Sequence, residues 1–98
     1  MNLPVRFALT PAASRFESVG EHLIVFNEVS WDTHLLNKAM AALLLSMTES
    51  PRTLDELTAL LEEVLVDAER PRAGRYAVAA VEQLRSLGLV EADVTETR

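Results

Sequence analysis

The chain has 98 residues, 49% of them hydrophobic and 24% charged, with no cysteine and a formal net charge of −6. That length holds one domain, taken as residues 1–98, and is too short for two that each keep a core. The apolar share excludes a disordered chain, and the lack of cysteine excludes a disulfide framework and thiolate chemistry. The longest unbroken apolar run, Ala39 to Leu45, is far short of the roughly 20 residues of a membrane span. No basic stretch followed by an apolar one opens the sequence, so the expectation is a cytoplasmic protein with no membrane partner. The acidic balance disfavours nucleic acid, whose binders carry cationic surfaces, and favours peptide or protein partners.

Leu3 to Leu9 alternates apolar with other residues, the period of a half-buried strand. Pro4 cannot donate to a ladder, so this strand is expected at an edge or as an extended arm. Thr10 to Ser14 reads as a connector, and Arg15 to Ser18 as a weak strand. Gly20 can supply the positive φ of a hairpin turn. His22 to Phe26 is the strongest strand, and its unbroken apolar character predicts a central strand buried on both faces. A short turn over 28–31 leads to a second strand, Asp32 to Leu36.

From Asn37 the period changes. Asn37 is an N-cap for a helix over 38–47 that is apolar on nearly every side and therefore buried, and Ser50-Pro51-Arg52 ends it. Thr53-Leu54-Asp55-Glu56 is a capping box, followed by a stripe of Leu54, Leu57, Leu60, Leu61, Val64 and Leu65. Residues 69–74 read as a loop. A third helix is expected from Arg75 to Leu87, with Ala77, Val81 and Leu84 inward and Val78 at the margin. Gly88 follows as its C′ residue, Leu89 and Val90 return to the core, and a frayed polar tail covers 91–98. The order predicts an α+β domain of winged-helix type, with an N-terminal three-stranded antiparallel sheet followed by three α-helices.

Val25-Phe26-Asn27, then Asp32-Thr33-His34-Leu35-Leu36-Asn37, then Pro51-x-Thr53-Leu54-x-Glu56-Leu57 resemble the PqqD-like proteins, of the RiPP recognition element type. The Asp-Thr-His-Leu-Leu-Asn string is similar to the small PqqD-type peptide chaperones encoded beside HPr-kinase-related proteins. The closing Leu84-x-x-Leu87-Gly88-Leu89-Val90 is similar to the family's last helix and exit, so the resemblance covers about 16–90. It implies a domain that recognises the leader part of a ribosomally made precursor peptide and presents the rest to a separate modifying enzyme. It further implies that the peptide adds as a strand to Asp32–Leu36 and contacts Trp31, Asp32, Thr33, His34 and Leu35. A groove wall of Val78, Glu82 and Arg85 on the third helix completes the implied site. Where this family has Gly before the Asp-Thr, the chain has Trp31, and a bulky residue argues against positive φ there.

The residues also permit other readings. Arg70, Arg72 and Arg75 lie at the entry to the third helix, the recognition helix of DNA-binding winged helices, with Arg85 further along. A DNA-binding regulator is therefore the alternative, set against the alanines and valines that follow, which cannot read bases. His22 and His34 could face each other across adjacent strands, but two His without a carboxylate partner make no metal site. No Gly-rich phosphate loop or activated nucleophile is present, so neither catalysis nor a cofactor is expected. Trp31 reads as a partly buried anchor, or as a binding hot spot if exposed. An open strand edge permits a homodimer as readily as peptide capture.

Overall fold

The computed structural model describes residues 5–13 and 15–93. Its α+β fold starts with strands β1 (Arg6–Leu9), β2 (Arg15–Val19), β3 (His22–Phe26) and β4 (Thr33–Leu36). Helix α1 (Lys38–Ser46), the two-residue strand β5 (Arg52–Thr53), α2 (Leu54–Val64), α3 (Ala73–Ser86) and β6 (Val90–Asp93) follow. Short 3-10 turns at Pro11–Ala13 and Arg70–Arg72 precede β2 and α3.

The expected three-stranded antiparallel sheet is β2-β3-β4, with β3 in the middle. A two-residue turn joins β2 to β3, with Gly20 at φ +62° in the first central position, where a primed turn takes glycine. The register places Phe16, Val25 and His34 in one row and Ser18, Leu23 and Leu36 in the next. These rows face the core, where Leu23, Val25 and Leu36 are buried. Arg15–Phe26–Thr33 and Glu17–Ile24–Leu35 form the opposite face. The expectation that β3 is buried on both faces is corrected here, because Ile24 and Phe26 are only half-buried and His22 is exposed.

The second sheet, of order β5-β1-β6, was not expected. In it β1 lies between β5 and β6 rather than at an edge, with Phe7 opposite both Arg52 and Ala92. The objection drawn from proline does not apply to Arg6–Leu9, and Pro4 itself lies outside the described residues. Residues 91–93, expected to fray, are held in β6, while 94–98 lie outside the described residues.

The helices form as their sequence signals dictate. The Asn37 side chain accepts from the Met40 N–H at 2.9 Å and starts α1. Thr53 Oγ1 accepts from the Glu56 N–H at 3.1 Å and Glu56 Oε1 from the Thr53 N–H at 2.9 Å, closing the capping box. Helix α3 starts two residues before the expected Arg75, because Ala73 is buried and the preceding turn is already helical. Val78 is 41% exposed, so it does not join Ala77, Val81 and Leu84 in the core. Leu43, Leu44, Leu57, Leu61, Leu84 and Leu89 fill the centre between the helices and β2-β3-β4. Among the described residues no helix is long and apolar enough to cross a membrane.

Candidate functional site

The loop between β3 and β4 is built on one buried polar residue. Asn27, 5% exposed, accepts from the N–H groups of Val29 (2.9 Å) and Ser30 (3.0 Å) through Oδ1. Its Nδ2 donates to the Leu87 carbonyl at the end of α3 (2.9 Å), so the same side chain ties the loop to that helix. Its backbone N–H donates to the Asp32 carbonyl (2.8 Å), and its carbonyl accepts from the Trp31 N–H (2.7 Å). Closing four residues inside that pair of bonds brings Trp31 to φ +67°, the left-handed region. This corrects the expectation that a bulky residue excludes positive φ here. The hydrogen bonds around Asn27 outweigh a strain of order 1 kcal/mol.

Trp31 is 83% exposed, which also corrects its reading as a partly buried anchor. Val29 beside it is 78% exposed. The loop is thus held from below by Asn27 and presents two large apolar side chains to solvent.

Strand β4 pairs with β3 alone, which leaves its other edge open among the described residues. Ladder bonds alternate along an antiparallel pair. Since Asn27 bonds Asp32, the bonded pairs that follow are Val25 with His34 and Leu23 with Leu36. Thr33 and Leu35 therefore turn their N–H and C=O groups to the open side. Edge strands are normally guarded by charge. The edge strands β2 and β6 carry Arg15 and Glu17, and Glu91 and Asp93, whereas Thr33-His34-Leu35-Leu36 holds no Asp, Glu, Lys or Arg and is preceded by Asp32.

At the C-terminal end of β4 a cavity of about 260 Å³ is lined by Asn37, Met40, Tyr76, Ala79, Ala80 and Gln83. Asn37 Nδ2 donates to the Tyr76 hydroxyl at 3.3 Å, linking the start of α1 to α3. Ala79 and Ala80 leave the space because their side chains end at Cβ. Val78, Glu82 and Arg85 are exposed on α3 and are not among the residues lining this cavity. The cavity residues of α3 lie one position along the helix, about 100° around its axis. The Asn37–Tyr76 bond is what turns this second stripe towards the start of α1. Another depression, of about 310 Å³, is lined by Ser46, Arg52, Glu56, Ala59, Leu60 and Glu63. There Arg52 donates to the Ser46 carbonyl and Glu56 closes the capping box.

The basic cluster is divided by the structure. Arg70 donates to the Glu62 carbonyl at 2.6 Å and pairs with Asp67 at 2.6 Å, so it closes the end of α2 instead of facing a ligand. Among the described residues, Arg72 and Arg75 have no such structural role. His22 lies on the outer face and His34 on the core face, three register positions apart, so they do not converge as the sequence allowed. Among the described residues no three His, Asp or Glu side chains gather where they could hold a metal ion.

No protein-family model matches the sequence, and no curated protein sequence matches it. The fold has a counterpart among solved structures. The chain superposes on TbiB1, solved in complex with the TbiA(beta) leader peptide, with a TM-score of 0.71 and 16% sequence identity. The match covers 90% of this chain and 99% of TbiB1. At that identity the likeness establishes a shared fold.

Proposed function

We propose that this protein is a non-catalytic peptide-binding module of the RiPP recognition element type, as the PqqD-like resemblance implies. It captures the leader segment of a precursor peptide and presents it to a separate modifying enzyme in the cytoplasm. The peptide adds as a fourth strand to β4, and its side chains on the α3 side reach towards the cavity at Asn37, Tyr76 and Ala79. Trp31, Asp32, Thr33, His34 and Leu35 form the strand side of the site, and α3, through Val78, Glu82 and Arg85 or the neighbouring cavity residues, forms the other wall.

The observation that carries this reading is the open edge of β4, with the N–H and C=O groups of Thr33 and Leu35 directed outward. Strand addition takes its affinity from such main-chain groups and its specificity from alternate side chains. The fold shared with a protein solved with a leader peptide supports the same reading. The engagement of Arg70 with α2 weighs against the DNA-binding alternative.

The test is an amide-resolved titration with leader peptides encoded near the gene, on the unmodified chain and on Thr33→Pro. Proline at an edge position whose N–H faces solvent leaves the sheet intact. Shifts at residues 32–36 that disappear in Thr33→Pro are expected. Peptide binding that is indifferent to Thr33→Pro would overturn strand addition.

A further inference from the structure

The outer face of β2-β3-β4 is not uniformly polar, as the solvent side of a sheet normally is. It runs from charged to apolar across the strands. Its middle row is Glu17 on β2, Ile24 on β3 and Leu35 on β4, and its other full row is Arg15, Phe26 and Thr33. Arg15 lies over the Phe26 ring at 5.3 Å and pairs with Glu28 at 3.7 Å, so the aromatic residue is covered from within the chain. Among the described residues Leu35 has no such cover, and it is 65% exposed. It sits on the open edge beside the half-buried Ile24, and the exposed Trp31 stands at the end of the same edge.

A strand added to β4 puts alternate side chains on this face, beside Leu35 and beside Thr33. From this geometry we infer that Leu35 is a specificity-determining residue of the site. It selects, on the face away from α3, an apolar or aromatic peptide side chain that extends the row Ile24–Leu35 by one strand. The inference rests on the strand-addition reading and adds a second determinant on the face opposite the α3 cavity. Two features favour a peptide strand as the occupant. The exposed apolar residue lies on an edge left open among the described residues, and its backbone groups face outward beside it. The patch itself spans only a few residues, much less than the roughly 800 Å² per partner of a stable protein interface. A large folded partner or a second copy packed on this face would need more.

Cross-strand neighbours interact by side-chain type, and charge opposite charge is a recognised pairing. That permits a test without knowledge of the natural peptide. A phage-displayed random peptide library is selected on the unmodified chain, on Leu35→Lys and on Leu35→Glu, with thermal melts verifying that each variant folds. Binders to the unmodified chain should share an apolar residue at one position. That position should become acidic on Leu35→Lys and basic on Leu35→Glu, with the rest of the pattern unchanged. Binders from the first selection should lose roughly two- to fivefold in affinity on either variant.

If the position stays apolar on both variants while Thr33→Pro still abolishes binding, Leu35 does not select the peptide and this inference is overturned while strand addition stands. If the selected peptides bind Thr33→Pro unchanged, strand addition itself is lost, and the inference with it. If sedimentation shows a dimer that both Leu35 variants dissolve, with the peptide pattern unaltered, Leu35 serves a second copy and the inference is overturned.

Discussion

The N–H of Trp31 donates to the carbonyl of Asn27 at 2.7 Å, and this bond holds Trp31 in the left-handed region at φ +67°. A glycine would occupy that conformation without strain. Trp31→Gly should therefore retain or raise stability by about 1 kcal/mol, a melting shift of roughly 4 °C or more. Peptide affinity should fall in the same variant, because an exposed aromatic beside the open edge is lost. A thermal melt and a binding titration on one preparation separate the two effects. A variant that melts several degrees lower would show that Trp31 supports the fold.

Asn27 satisfies three backbone groups from a buried position, the N–H groups of Val29 and Ser30 and the carbonyl of Leu87. Asn27→Ala leaves them without partners and should destabilise the protein by about 1–3 kcal/mol in urea denaturation. Hydrogen exchange should show the loss first at the Val29 and Ser30 amides, with the centre of α2 affected least.

Gly88 and Gly20 both have positive φ, yet their surroundings differ. A Cβ on Gly88 would lie 3.1 Å from Asn27 Nδ2, while one on Gly20 would meet nothing within 4 Å. Gly88→Ala should cost more than Gly20→Ala, the latter being limited to the backbone term of about 1 kcal/mol. Paired denaturation curves for the two variants test this ordering.

Acid should weaken the start of α2. The Thr53 backbone N–H bonded to Glu56 holds that carboxyl below its usual value. A group lowered in the folded state stabilises above its unfolded value, about 4.3 for Glu, and that contribution is lost as pH falls through the folded value. The stability difference between the unmodified chain and Glu56→Gln should therefore be present at neutral pH and shrink as the pH drops below about 4. Denaturation midpoints measured from pH 7 to pH 3 report it.

Local signals located most of the elements. Asn37, the Thr53–Glu56 box and Gly88 each act through atoms a few residues away, so the cap residues and helix starts of α1 and α2 are legible from the chain alone. The second sheet was not legible. Its pairing of Phe7 with Ala92 joins the two ends of the chain, and β6 reads Val-Glu-Ala-Asp, a segment with no strand signal of its own. Its strand form comes from the ladder with β1.

The sequence by itself determined the α+β order, the leucine core and a strand ending at Leu36 before the Asn37 cap, because these follow from periodicity, caps and composition. The tertiary structure decided which α3 stripe meets the α1 start, that Arg70 is consumed in closing α2, and that Trp31 stands exposed at positive φ. The first outcome rests on a bond between residues distant in the chain, Asn37 to Tyr76, and the loop that carries Trp31 is anchored by another, Asn27 to Leu87. Hydrogen bonds of that kind form only after packing has brought their partners together, and no local pattern encodes them.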